Sequence, residues 1–322
     1  MKRGRILIAA LVAVAVVASA CGGAGTGGNT GSPATATATA TAVARPDVIV
    51  GSTNFYEQIT LGELYSQILE ANGYKVTRRF NLGNREIVEP AIESGQIDVD
   101  AEYLATLLAF VDKDGKVAKP TTDPKETQTG LQKALDPKSL TVLDFAQATD
   151  QNGFVVTQAT ASSKNLKKIS DLAPFAKDMI LGGPPECPSP QRPFCLTGLK
   201  NVYGLTFKDF KPLDAGGPLT VAALEGKQID VGLLFTSDPS IVAKNFVLLD
   251  DDKHLQLADN IAPVVRNALL QKDDGTLKRL LNSISAKLTQ AELNDMNKQV
   301  AVDKADSKVV AAAWLKKQGL IK

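Results

Sequence analysis

Histidine is almost missing from this 322-residue chain, in which His254 stands alone. That argues against imidazole-rich metal sites and against most acid–base enzymes, which use histidine most often. Charge of one sign is missing too: 36 lysines and arginines face 35 aspartates and glutamates, so no basic excess drives nucleic-acid binding. No P-loop, H-E-x-x-H or G-x-S-x-G motif occurs. The chain is therefore expected to be no enzyme and to carry neither metal nor cofactor. Aromatics are scarce, at 11 Phe, 5 Tyr and 1 Trp, so where they fall carries more information than usual. With 44% apolar and 22% charged residues, the composition is globular rather than disordered or multi-spanning.

The amino terminus reads as an address. Lys2, Arg3 and Arg5 precede an apolar run from Ile6 to Ala18, shorter than the roughly 20 residues a membrane span needs but suited to a signal peptide. The run ends Ala18-Ser19-Ala20-Cys21, which resembles a bacterial lipoprotein signal in which the cysteine is diacylated. Residues 1–20 are thus expected to be cleaved and Cys21 to anchor the protein on the outer face of the cell membrane. Ordinary secretory cleavage near Ala20 is the alternative. Residues 21–45 are Gly-, Ala- and Thr-rich and hold no large apolar side chain before Val43, which predicts a flexible tether. Gly23 to Gly28 spell G-x-G-x-x-G, but no strand signal precedes them and no helix signal comes after, so a dinucleotide site is excluded.

Export leaves Cys187 and Cys195 as an even pair in an oxidising compartment. Bridging them would staple a proline-rich surface loop and contribute about 2.5 kcal/mol by chain-entropy arithmetic.

From Pro46 onward, strand and helix signals alternate. Val48-Ile49-Val50 is followed by Leu61, Leu64, Ile68 and Leu69 at helical spacing, and the pattern repeats to the middle of the chain. Such alternation predicts an α/β fold with a largely parallel sheet. One phrase occurs twice: Ile92-Glu93-Ser94-Gly95-Gln96-Ile97-Asp98-Val99 and Leu224-Glu225-Gly226-Lys227-Gln228-Ile229-Asp230-Val231. Each reads as helix, glycine stop and strand. Beyond them stand Tyr103 and Phe235, then Thr106 and Asp238. Ligands of open α/β sheets bind beyond the carboxyl ends of strands, so these residues either face a cleft in two similar lobes or belong to the core.

Gly51-Ser-Thr-Asn-Phe-Tyr-Glu-Gln58, Leu82-Gly83-Asn84, Glu93 to Val99 with Glu102-Tyr103, Leu249 to Lys253 and Asn260 to Val264 together resemble the glycine betaine/choline (osmoprotectant) substrate-binding proteins of ABC importers. The resemblance implies a type II periplasmic-binding-protein fold, two α/β lobes joined by a two-strand hinge around a ligand cleft. Lobe 1 would comprise residues 46–150 and 249–322 and lobe 2 residues 151–248. The crossings would lie near Ala148–Asn152 and Leu248–Asp252. It also implies an aromatic box for a quaternary ammonium group. Tyr103 and Thr106 match family residues, Phe154 and Phe235 stand where tyrosines are usual, and Asp259 replaces another tyrosine. Asn54 and Gln58 match the polar tip after the first strand, and Asp238 completes the expected set. The family's second-lobe arginine is replaced by the Cys187–Cys195 loop, in which Arg192 is the one cation.

The resemblance and the export signal together imply an extracytoplasmic solute-binding lipoprotein, a monomer serving an ABC permease and its ATPase and binding no nucleic acid. Its ligand would be glycine betaine, choline or a related amine. Asp259 would suit a primary or secondary amine better than a trimethylammonium head. The alternatives are another ligand (amino acid, polyamine or aromatic compound) or a lipid-anchored sensory protein without a transport role.

Overall fold

A computed structural model describes residues 45–322, and the expected signal segment, Cys21 and the tether up to residue 44 lie outside them. The chain runs through strand β1 (Val48–Gly51), helix α1 (Tyr56–Ala71), β2 (Val76–Arg79), α2 (Arg85–Glu93), β3 (Val99–Tyr103), α3 (Leu104–Val111), α4 (Pro124–Leu135) and β4 (Leu140–Val142). It then crosses to a second set: β5 (Asn152–Thr157), α5 (Gln158–Lys164), β6 (Ile180–Gly183), α6 (Leu196–Tyr203), β7 (Asp209–Pro212), α7 (Pro218–Glu225), β8 (Val231–Phe235), α8 (Ser240–Ala243) and β9 (Phe246–Leu248). It returns through β10 (Ile261–Arg266), α9 (Asn267–Leu270), α10 (Thr276–Ser285), α11 (Gln290–Ala301) and α12 (Ser307–Lys317).

Two five-stranded sheets result, with orders β2-β1-β3-β10-β4 and β7-β6-β8-β5-β9. Their plans are the same. β1 is parallel to β2 and β3, as β6 is to β7 and β8. In each sheet the strand that comes after a crossing, β10 or β5, inserts antiparallel between two neighbours.

The repeated phrase has a shared structural cause. Asp98 accepts the Ile49 N–H at 2.9 Å and donates its own N–H to Ile49 O at 2.7 Å. Asp230 does the same with Ile180, at 2.8 and 2.9 Å. Asp98 thus ties the start of β3 to β1, and Asp230 the start of β8 to β6. The glycine stop is only half right. The left-handed residue sits at one aligned position, Gly95 (φ +80°) in the first copy and Lys227 (φ +54°) in the second. At Gly95 a Cβ would also meet the Arg266 guanidinium at 2.7 Å, and that guanidinium pairs with Asp98.

Each sheet buries both faces. One face of the first sheet packs Val48 and Val50 against Leu61, Leu64 and Ile68 of α1 and against Leu281, Trp314 and Leu315 of the carboxyl-terminal helices. Its other face packs Val142, Ala262 and Val264 with Val88, Ile92, Leu107, Leu108 and Leu131 of α2–α4. Thr289 caps α11 by accepting the Glu292 N–H. The Glu292 carboxylate accepts from Trp314 Nε1 at 2.8 Å and so ties α11 to α12.

The return crossing lies later than the sequence implied. Leu249 and Leu255 sit in the core of the second sheet's half, Asp250 bridges Lys168, and Asp251 accepts from the Tyr203 hydroxyl. Residues 249–257 are therefore held by lobe 2. The chain changes sheets at 258–261, where Thr149 pairs with Asn260 and the Asp150 N–H donates to Asp259 O at 3.1 Å.

Candidate ligand-binding cleft

The carboxyl ends of β1, β3, β6 and β8 border one cavity of about 860 Å³, including the solvent at its mouth. From the first half come Thr53, Asn54 and Phe55 after β1, Gln58 in the first turn of α1, Asn84 and Arg85 opening α2, and Tyr103 and Thr106 around the β3–α3 junction. The loop after β1 is fixed because Ser52 Oγ accepts the Asn81 N–H at 3.0 Å and Ser52 O accepts that of Leu82 at 3.2 Å. From the second half come Asn152, Leu233, Phe235 and the Cys187–Cys195 loop. The two crossing strands contribute Asp150 and Asp259.

The structure brings most of the sequence-derived set together. Asn54, Gln58, Tyr103, Thr106, Phe235 and Asp259 all line the cavity. Phe154 does not: it is 1% exposed in the core with Val156, Val231 and Leu233. A strand rises about 3.3 Å per residue with side chains alternating, so Asn152 meets the cavity and Phe154, on the same face, lies roughly 7 Å deeper. Asp238 is also outside the lining. Its carboxylate accepts the Ser240 N–H at 2.7 Å, so it fixes the turn after β8 rather than meeting a ligand.

Phe55 carries no signal of its own in the sequence. As the residue before α1 it belongs to no periodic pattern, although it lies inside the quoted Gly51–Gln58 motif. Its ring centroid is 4.9 Å from that of Phe235 and 6.4 Å from that of Tyr103. Three aromatic faces from both halves therefore meet at the cleft. The Tyr103 hydroxyl donates to Glu57 at 2.6 Å, and Glu57 also accepts from Ser237 Oγ at 2.7 Å and Asn297 Nδ2 at 2.5 Å. This buried node links the two halves beneath the aromatic cluster.

The cysteines are joined as expected. Both are buried, and the loop they close is a cleft wall rather than outer surface. It carries Arg192, which reaches across to Glu86 of α2, Nη2 to Oε2 at 2.7 Å and Nε to Oε1 at 3.1 Å. Arg192 also lies over the Phe110 ring, 5.7 Å from its centroid. Arg85, fully buried, makes a two-pronged pair with Glu102 at 2.8 and 2.6 Å and donates to Thr106 Oγ1 at 3.2 Å.

Asp259 and Asp150 have no such partner, whereas Glu186 lies 3.9 Å from Arg192. Asp259 accepts the Thr106 N–H at 2.8 Å, and Asp150 accepts the Ser237 N–H at 3.1 Å. Burial pushes the Asp259 carboxyl up to about 7, with the Thr106 bond and the Arg85 charge working the other way. Burial first and the nearby Glu57 second push Asp150 well above the usual carboxylate range. Burial raises Glu57 as well, against its three hydrogen bonds. Among the described residues, no cluster of His, Cys, Asp and Glu has metal-holding geometry.

Residues 46–317 match the family described as the substrate binding domain of the ABC-type glycine betaine transport system. The glycine betaine-binding protein YehZ of Escherichia coli strain K12 is 27% identical over 292 residues, covering 87% of this chain and 93% of that protein. The ergothioneine transport permease/ergothioneine binding protein EgtU of Helicobacter pylori strain G27 is 25% identical over 274 residues, covering 85% of this chain and 48% of that protein. A crystal structure of a glycine betaine/carnitine/choline ABC transporter superposes with a TM-score of 0.67 at 27% identity, over 86% of this chain and 100% of its own. These likenesses bear out the two-lobed α/β fold.

Proposed function

The chain belongs to the family of substrate-binding domains of ABC-type glycine betaine transport systems, and on that premise we propose that its cleft captures a small osmoprotectant-type organic cation for an importer. The observation that carries this reading is the cluster of Phe55, Tyr103 and Phe235, drawn from both lobes. An aromatic face attracts a cation by about 0.5–2 kcal/mol per ring, more when water is excluded. Phenylalanine keeps that face and gives up only the hydroxyl. The amides of Asn54, Asn84 and Asn152 line the same cavity and supply hydrogen bonds for the rest of the solute.

The ligand stabilises the closed form to the extent that it contacts both lobes at once. The Phe55–Phe235 and Arg192–Glu86 contacts support such a closure. Hand-over is to an ABC permease, in keeping with the relative named as permease and binding protein together. Its ATPase supplies the energy. Removal of residues 1–20, acylation of Cys21 and a tether through residue 45 would hold the receptor on the extracytoplasmic face of the membrane. These steps rest on the sequence, as does the assignment of the lining residues to ligand contact.

Calorimetry and thermal shift on the soluble domain test the proposal, with betaine, choline, carnitine and their amine counterparts as probes. A ligand at a hundredfold excess over its Kd stabilises by about 2.7 kcal/mol, an easily read shift. Binding weakened about tenfold in Phe55→Ala, read at a temperature where the variant is fully folded, is the expected result. If no organic cation binds the folded protein, the proposal fails.

A further inference from the structure

Two arginines line the cleft, and both are already spent. Arg85 is matched by Glu102 and Arg192 by Glu86. Neither Asp150 nor Asp259 forms an ion pair with any described lysine or arginine, although both line the cavity. A zwitterion brings its own carboxylate, which would meet these acids with no unpaired arginine in the lining to offset them. A net cation needs only the acids.

A second observation is independent of the charges. Gln58 is 1% exposed, lines the cavity, and its Oε1 has no hydrogen-bond partner. Tyr103 supplies it no donor, since the tyrosine hydroxyl donates to Glu57 instead. A buried acceptor left unpaired costs about 1–3 kcal/mol. A trimethylammonium group has no N–H to offer it.

We propose that the acceptors Asp150, Asp259 and Gln58 make this cleft select an organic cation that bears N–H donors and no carboxylate, a protonated primary, secondary or tertiary amine, over betaines and quaternary ammonium compounds. The proposal rests on the cation-receptor reading above and narrows it. The aromatic cluster takes the alkyl part of such a cation, and the acids take its N–H groups as charge-assisted bonds, which are roughly twice as strong as neutral ones. The raised carboxyl of Asp259 fits a group whose counter-charge arrives with the ligand.

Matched probes isolate the N–H. Choline and N,N-dimethylethanolamine differ by one methyl in place of one N–H, and betaine and N,N-dimethylglycine differ in the same way with a carboxylate added. Calorimetry on the soluble domain is expected to give dimethylethanolamine at least tenfold tighter binding than choline, with both carboxylates weaker still. Asp259→Asn keeps an acceptor for the Thr106 N–H and removes the charge, so the preference should collapse in it while the free protein stays at least as stable. Asp150→Asn should act in the same direction. Equal or tighter binding of choline, or tightest binding of betaine, overturns the proposal and leaves the receptor reading intact. A preference that survives both variants overturns it too, by removing the acids as its source. Absence of binding by any probe overturns the receptor reading itself.

Discussion

Cation binding should be coupled to proton release at Asp259. In the free protein, burial holds this carboxyl at about 7, well above the roughly 3.9 of an unfolded chain. The groups facing it are Arg85 from α2, Glu102 at the end of β3, the Thr106 N–H from α3 and Asp150 on the paired crossing strand. A cation beside the carboxylate favours its charged form, so binding expels the proton. If the bound group stays ionised throughout, linkage makes affinity rise roughly a hundredfold between pH 5 and pH 8. The stability of the ligand-free protein moves the opposite way. A folded pKa raised above the unfolded value contributes stability that is full below the unfolded pKa and is lost as pH rises through the folded one. Asp259 therefore contributes progressively less from about pH 4 to pH 7, and Asp150 and Glu57, raised by the same burial, act in the same direction. Calorimetry in buffers of different ionisation enthalpy measures the protons released, and thermal scans across the same range measure the stability. Asp259→Asn should reduce the release by about one proton when measured above pH 4 and below pH 7. A flat affinity across that range in the native protein, or undiminished release in the variant, would refute the reasoning.

Other consequences are separable from this one. Phe154→Ala should destabilise the protein by about 3–5 kcal/mol through cavity formation, with no selective loss of affinity in the fraction that remains folded; a ligand-specific loss would return Phe154 to the cleft. Paired Cys187→Ser and Cys195→Ser should cost about 2.5 kcal/mol by loop entropy and lower the melting temperature accordingly. Arg192→Ala breaks a partly exposed pair, worth about 0.2–1 kcal/mol. Small-angle scattering should then show a more open average shape in the absence of ligand. Lys227→Gly should raise stability by about 1 kcal/mol, because an L-residue in the left-handed region costs about 1–2 kcal/mol and glycine regains part of it; denaturant unfolding measures it.

Much of the fold could be read from local pattern. The duplicated phrase marked β3 and β8, and its aspartates make the bonds that set those strands. Tyr103 and Phe235 came with it, since a strand end points at a cleft whatever the rest of the chain does. Errors arose where a local pattern is blind to depth. Phe154 and Asn152 share a face of β5, and only the third dimension says which one stops at the cavity. Leu249 and Leu255 resemble any linker leucines, yet they bury into lobe 2 and postpone the crossing. Asp238 was an acid at the expected spacing, but its backbone turn claims it. The arginine pairs were illegible for a simpler reason: Arg192 and Glu86 are 106 residues apart, and no spacing rule joins them.

The paired crossing strands have a mechanical consequence. Asp150 and Asp259 sit on the pivot itself, next to the bridge between Thr149 and Asn260, whereas Phe55 and Phe235 sit on opposite arms. Points on an axis keep their spacing as the arms swing, while points at the arms' reach do not. In the proposed hinge motion the acidic end of the cleft is therefore assembled at every opening angle, and the aromatic end is assembled only at the end of the stroke. For the proposed receptor this means that an incoming cation is first held by groups that do not move and is then enclosed by groups that do, so attraction and commitment are separate events assigned to different residues.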